Sequence, residues 1–328
     1  MIFRQCRAMI VMIATTLALT LPTVAAGAQQ PFAEWLRDLR SEAAGKGIRA
    51  PILDKTLGSV ELLPRVIELD RHQPEFKLTY SSYMRHVVSK ARITNGRVKM
   101  AKHQTVLATI AAKYGVPARF IVALWGMESD YGHVTGGFPI IPALVTLAYD
   151  GRRSAYFRKE LFNALTILDH GDITPERMTG SWAGAMGQCQ FMPSSFLKFA
   201  EDFEGTGRRD IWRSEADVFA STANFLAKSG WDAGQSWGRA VRLPKGFNTA
   251  LADLSIRKSL DEWSALGIRA SKSHPLPKST ARAALVLPEG RGGRAFLVSD
   301  NFDVLRKWNQ SNLFALAAGH LADSLGRK

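Results

Sequence analysis

Glu128 ends an apolar run, Phe120-Ile121-Val122-Ala123-Leu124-Trp125-Gly126-Met127-Glu128. A run of this composition is expected to be buried. Burying a carboxylate without a partner disfavours its charged form, so the group holds its proton at neutral pH and is able to donate it. The chemistry offered is general acid catalysis. Gly115 and Pro117 open the segment as a helix start does, and Gly132 closes it as a stop, which puts Glu128 in or just after the last helical turn. Carbonyls exposed at that end carry partial negative charge and oppose ionisation in the same direction as burial. The alternative is a solvated glutamate on the polar stripe of a core helix, the ordinary setting for the residue type.

A second stretch, Gly180-Ser181-Trp182-Ala183-Gly184-Ala185-Met186-Gly187-Gln188-Cys189-Gln190-Phe191-Met192-Pro193, is dense in glycine and small residues yet carries aromatic rings and two amides. Such a loop fits a groove wall, where backbone comes close to a ligand and amides bond hydroxyl or acetamido groups. A buried turn between packed helices is the plainer alternative.

The elements that must position these stretches read mostly as helix. Apolar residues recur at helical spacing over Phe32 to Leu39, Val98 to Tyr114, Tyr156 to Leu168, Ser194 to Phe203, Val218 to Ala227 and Leu313 to Leu325. The clearest strands, Ala284 to Leu287 and Ala295 to Val298, flank a Gly-rich connection and predict a hairpin. Ala270 to Ser279, rich in Ser, Lys, His and Pro, reads as a surface linker. The fold class expected is mainly α (α+β).

The chain of 328 residues is long enough for one large or two medium domains. Arg4 and Arg7, the apolar stretch Met9 to Leu21 and the small residues Ala26-Gly27-Ala28 form the three parts of a secretory signal, so residues 1–28 are expected to be removed on export. An uncleaved anchor is the alternative, but the apolar stretch is short for a span of about 20 residues. Cys6 precedes that stretch, out of place for lipidation, and leaves Cys189 alone in the mature chain without an internal disulfide partner. Cys189 is expected to act as a small hydrophobe. The formal charge of +14 favours polyanions, and export makes nucleic acid the least suitable of them and an acidic wall polymer more so. Scattered basic residues also serve solubility alone.

The two stretches together resemble the membrane-bound lytic murein transglycosylase B family, enzymes that cleave the glycan strands of bacterial peptidoglycan. The resemblance runs from Phe32 to Leu325 and is strongest at Ala123 to Gly132, at Gly180 to Gly187 and at Gln190-Phe191-Met192-Pro193-Ser194-Ser195. It implies a lysozyme-like catalytic core with an additional helical region and a small β-hairpin element. The organisation expected is a signal over 1–28, an N-terminal helical region over 29–115, the core over 116–240, and a C-terminal region over 241–328 that packs back on the N-terminal one.

By the same resemblance Glu128 is the single catalytic acid, Ser181 and Gln190 line the cleft, and Phe191 packs against the sugar. Arg152 and Arg153 match a basic pair that faces substrate carboxylates, and Tyr83 aligns with a cleft tyrosine. Phe225, Trp308 and Phe314 stand where relatives often carry cleft tyrosines, so stacking on sugar rings is expected to survive while phenolic hydroxyls are lost. Phe225 and Phe314 serve equally well as core residues. The stretch Asp202 to Asp210 matches a loop that holds calcium in some relatives, with Asp202, Glu204 and Asp210 supplying oxygens, Arg208 within the loop and Asp217 able to compensate from further along. Thr206 and Arg213 replace acidic ligands there, so any calcium is expected to be weakly held. No cofactor is expected to be required.

The activity implied is cleavage of the bond between N-acetylmuramic acid and N-acetylglucosamine, leaving 1,6-anhydromuramic acid ends in the periplasm. The partners implied are glycan strands and, unidentified, proteins of wall synthesis or division. A muramidase using water, a non-catalytic wall-binding protein and a charge-driven polyanion binder are the competing readings.

Overall fold

The computed structural model describes residues 30–72, 78–271 and 274–327. The expected signal segment lies outside the described residues. In chain order the helices of the first half are α1 (Phe32–Gly45), α2 (Ala50–Leu57), α3 (Pro64–Arg71), α4 (Tyr80–Val87), α5 (Lys90–Lys102), α6 (Gln104–Tyr114) and α7 (Ala118–Ser129). A short strand β1 (Phe138–Pro139) leads to α8 (Ile140–Tyr149) and α9 (Ser154–His170), and β2 (Thr179–Gly180) leads to α10 (Pro193–Phe199) and α11 (Glu215–Lys228). The remainder comprises β3 (Gly238–Val241), β4 (Arg257–Ser259), α12 (Leu260–Ala265), β5 (Arg269–Ser271), β6 (His274–Pro275), β7 (Arg282–Val286), β8 (Ala295–Val298), α13 (Asp300–Trp308) and α14 (Asn312–Gly326). The fold is mainly α with small β elements.

The expectation that α7 is a core helix holds. Every residue from Phe120 to Trp125 is no more than 1% exposed, and the helix is enclosed by α5, α6, α11 and α14. A helix apolar on all faces is stable only when surrounded in this way. Burying those six side chains contributes on the order of 10 kcal/mol. Among the described residues no single helix is long and apolar enough to cross a membrane; α6 and α7 together have the composition but meet at 110°.

Gly126 marks where α7 lets another side chain in. A Cβ there would sit 2.5 Å from the Tyr131 ring, and one at Gly96 on α5 would strike the same side chain. Tyr131 is therefore wedged between the two helices, its hydroxyl donating to the Arg92 carbonyl at 2.7 Å. Although alanine is the better helix former, Gly126→Ala is expected to destabilise the protein by about 1–3 kcal/mol through overpacking. A thermal midpoint at or above that of the parent would show that Tyr131 moves aside freely.

The expected hairpin is present as β7 and β8, antiparallel with Leu285 opposite Leu297. It is the middle of a four-stranded sheet, order β3-β8-β7-β4. The outer strands escape a periodicity search because β3 has four residues and β4 three, Arg257-Lys258-Ser259. Trp263, Ile268, Leu285 and Leu297 form a small separate core there, with the Trp263 indole donating to the Ala283 carbonyl. The stretch expected to be a linker instead contains β5 and β6, paired antiparallel. The main core runs from Leu39 on α1 to Leu325 on α14, and α14 packs on α7, α4 and α5.

Two helices differ from expectation. The periodic stretch from Val98 to Tyr114 is broken at His103 into α5 and α6; the His103 ring packs edge-on against Trp125 and Phe219, and its Nε2 lies 3.3 Å from the Glu215 carboxylate. The helix expected to reach Phe203 stops at Phe199, because α11 satisfies its end: Asn224 donates to the Phe199 carbonyl and Ser221 accepts from the Glu201 amide. The apolar α8 is not foreseen, since Ile140 to Ala148 is buried at nearly every position and shows no polar stripe.

Candidate active site

Glu128 lies in the last turn of α7, which ends at Ser129, three residues before Gly132. Asp130, Tyr131 and Gly132 all take positive φ (48°, 62° and 87°), a tight left-handed turn. Such angles cost energy at residues other than glycine, and the wedge made by Tyr131 offsets it. Ser129 adds a clasp, its hydroxyl donating to the Trp125 carbonyl and accepting from the Gly132 amide. Asp130, the acid nearest in sequence, turns to Arg92 at 3.7 Å.

The Glu128 carboxylate accepts a 2.7 Å hydrogen bond from the indole Nε1 of Trp308, the last residue of α13 and 180 positions away in sequence. Trp308 is held from behind by Phe191 and Phe225, at 5.3 Å and 4.8 Å between ring centres. Burial pushes the Glu128 carboxyl up to about 7, and the Trp308 bond pulls it part of the way back. Tyr83 on α4 faces the same carboxylate: burial first, and then the Glu128 charge, raise its hydroxyl above the ordinary phenol range. Cys189 is buried, and burial pushes its thiol up to about 12, so it is neutral at physiological pH, as a small hydrophobe should be.

The wall beside Glu128 is the Gly-rich stretch. Strand β2 pairs with β1, Phe138 opposite Gly180, and bridges join Gly180 to Met186 and Met186 to Phe191. Gly180 is required by close approach, since a Cβ there would run into the Ala185 carbonyl. Gln188 ties the wall to α7, accepting from Trp125 Nε1 at 2.8 Å and donating to the Trp212 carbonyl. Gln190, at φ 50°, donates through Nε2 to the carbonyls of Thr135 and Gly187. With both amide hydrogens spent, its Oε1 is the atom left to accept from a ligand. Ser181 Oγ accepts from the Ala185 amide at 3.0 Å and keeps its own hydrogen to donate.

The other expected site residues are placed as follows. Phe191, Phe225 and Phe314 are 3%, 7% and 6% exposed. Phe191 backs Trp308, and Phe225 and Phe314 take the core alternative on α11 and α14. Trp308 has no phenolic hydroxyl, as expected of its residue type, and its indole N–H supplies a donor of a different kind. Arg152 and Arg153 converge on Asp70 of α3, which is 1% exposed: Arg152 bonds its carbonyl at 2.6 Å and its carboxylate at 3.3 Å, and Arg153 bonds the same carboxylate. Both guanidinium groups remain about half exposed and anchored to α3.

The carboxylates of the expected calcium loop are turned to backbone amides. Asp202 accepts from Thr206 and Gly207, Asp217 from Phe203 and Asp210, and Asp210 from Trp212 and Arg213. Glu204 accepts from Ser214, and Arg208 offers a carbonyl to Thr206. Among the described residues no three His, Cys, Asp or Glu side chains converge as metal ligands. Burial raises the Asp217 carboxyl, and the charges of Asp202 and Glu204 add to that, so the three acids lie near one another.

Sequence reasoning missed the bonding roles of Trp125, Gln188 and Tyr131, although all three lie inside the quoted motifs, and it missed Asp70, which no local signal marks.

A mainly helical fold that holds a part-buried carboxyl, raised towards neutral pH, beside a glycine-rich stretch has the lysozyme-like arrangement. Residues 31–323 match the transglycosylase SLT domain, and the chain belongs to that family. It is 31% identical over 249 residues to the membrane-bound lytic murein transglycosylase B of Escherichia coli, covering 74% of this chain and 66% of that protein. Among solved structures it resembles SltB3 from Pseudomonas aeruginosa in complex with NAG-NAM-pentapeptide (46% identity, TM-score 0.89, 91% of this chain and 80% of that one). It also resembles the Escherichia coli lytic transglycosylase Slt35 in complex with calcium (29% identity, TM-score 0.74, 88% and 92%).

Proposed function

We propose that the chain is a lytic transglycosylase that cleaves the β-1,4 bond between N-acetylmuramic acid and N-acetylglucosamine in peptidoglycan, with Glu128 as both acid and base. The observation that carries this reading is the Glu128 carboxyl raised to about 7 by burial and held by Trp308. A group balanced near neutral pH gives up and takes back a proton with little bias, as a two-step mechanism on one residue needs.

In the first step Glu128 protonates the glycosidic oxygen as its bond to C1 breaks. The muramic acid acetamido group stabilises the cationic C1. Gln190 Oε1 is suited to accept from the acetamido N–H and the Ser181 hydroxyl to donate to its carbonyl. In the second step ionised Glu128 takes the proton of the C6 hydroxyl while that oxygen bonds to C1. The 1,6-anhydro ring closes, Glu128 is protonated again and no water is consumed. A hydrolase with paired carboxylates needs a second acid at a set separation, and the nearest in sequence, Asp130, is engaged with Arg92. None of these steps runs through a metal, and we propose that the loop from Asp202 to Asp210 works without one. The signal pattern in residues 1–28 supports a periplasmic setting, and the basic surface supports attraction to an anionic wall polymer.

Mass spectrometry of muropeptides released from purified sacculi tests the reading. Products lighter by one water than their reducing-end counterparts are expected. Reducing-end products would make the protein a muramidase, and no release would make it a wall-binding protein.

A further inference from the structure

A cavity of about 700 Å³ lies apart from Glu128, between the four-stranded sheet and helices α4 and α14. Its floor is polar: Tyr80 Oη and His320 Nε2 are 3.0 Å apart. Val241, Leu243, Phe247 and Phe296 give it an apolar wall, and Arg242, Arg291 and Arg294 stand at its edge. A neighbouring recess of about 510 Å³ shares Tyr80, Arg294 and His320 and adds Arg85 and Arg327. Among the described residues no carboxylate lines either space. Of the described acids close by, Glu289 accepts from Ser81 and Asp323 from the Trp237 indole.

Among the described residues these five arginines form no ion pair, while other arginines of the chain, such as Arg49, Arg158, Arg209 and Arg257, do. Arg294 rests over the Tyr80 ring at 5.4 Å, which orients its guanidinium at the mouth shared by the two spaces. Unpaired like charges around one concavity repel each other and are relieved by an anion. A solvated basic face would account for the charge alone, but not for its grouping around an apolar wall and a polar floor. The volume falls within the roughly 300–1,000 Å³ of small-ligand sites, and guanidinium groups bind carboxylates in two-point fashion.

We propose that this cavity binds the carboxylate end of a short peptide, with the arginines on the carboxylate and the apolar wall on the side chains. Resting on the proposed function, the peptide is the stem carried by peptidoglycan, so the protein holds its substrate at a second point beyond the glycan cleft.

The test is calorimetric titration of the mature chain carrying Glu128→Gln, which prevents turnover, with Nα,Nε-diacetyl-Lys-D-Ala-D-Ala and with its C-terminal amide. The acid is expected to bind at least about tenfold more tightly than the amide. That preference is expected to collapse when Arg242→Gln and Arg294→Gln are added, and to persist when Arg177→Gln, a remote exposed arginine, is added instead. Equal binding of acid and amide, or an unchanged preference in the double arginine variant, would overturn the proposal. So would inorganic phosphate displacing the peptide at matching concentration. A parent protein that shows the acid preference but releases no anhydro product would overturn the proposed function alone, and one that releases it without the preference would overturn the pocket alone.

Discussion

Glu128→Gln is expected to lower release of anhydro-muropeptides by at least about 10³-fold while making the protein more stable at pH 8. The loss follows from removing the one proton donor and acceptor of both steps, since general acid–base catalysis contributes about 10²–10⁴-fold. Glutamine keeps the shape and still accepts from Trp308 Nε1, so the site should remain assembled. The stability gain follows from linkage. Burial lifts the carboxyl from an ordinary 4.5 to about 7 in the folded protein. Between those values the folded state holds a proton that the unfolded chain has released, so stability falls as pH rises through this window and stays at the lower level above it. Glutamine does not ionise and escapes that loss. The variant is expected to exceed the parent by about 2–3 kcal/mol at pH 8 and to match it near pH 4. Denaturant unfolding at both pH values checks this. A difference independent of pH would show that the carboxyl titrates near its ordinary value, leaving Glu128 a poor acid at neutral pH.

How far the site could be read from sequence depends on how local its causes are. The partial burial of Glu128 was legible because the apolar run that leads to it is contiguous, Phe120 to Trp125, and the loop from Gly180 was legible because its composition departs from that of its surroundings. The helix stop was misplaced from Asp130 to Gly132, since what lets Asp130 and Tyr131 take left-handed angles is the space left by Gly96 and Gly126 on two separate helices. The inward turn of Phe191 was likewise hidden, because its partner Trp308 arrives from α13. Arg152 and Arg153 read as a free basic pair only while Asp70, on α3, is out of view. Contacts along one element or turn were visible; contacts closed by the tertiary fold were not.

Trp308 is where that distinction has the largest consequence for activity. Trp308→Phe keeps an aromatic ring against Phe191 and Phe225 but removes the N–H that bonds Glu128. The bond favours the ionised carboxylate and holds its proton affinity down against burial. Without it, Glu128 should keep its proton to higher pH, so the alkaline fall of kcat/KM, which follows loss of the acid's proton in the free enzyme, is expected to move upward. Turnover should fall about tenfold, since a hydrogen bond to a charged group is worth about 1.5–3 kcal/mol and the second step needs Glu128 as a base. Trp308→Tyr, which offers a donor again, is expected to restore part of both. The pH profile separates this role from stacking on sugar: a stacking residue would raise KM and leave the alkaline limb in place. An unmoved limb in Trp308→Phe would therefore mean that the indole serves the sugar and that burial alone sets the proton affinity of Glu128.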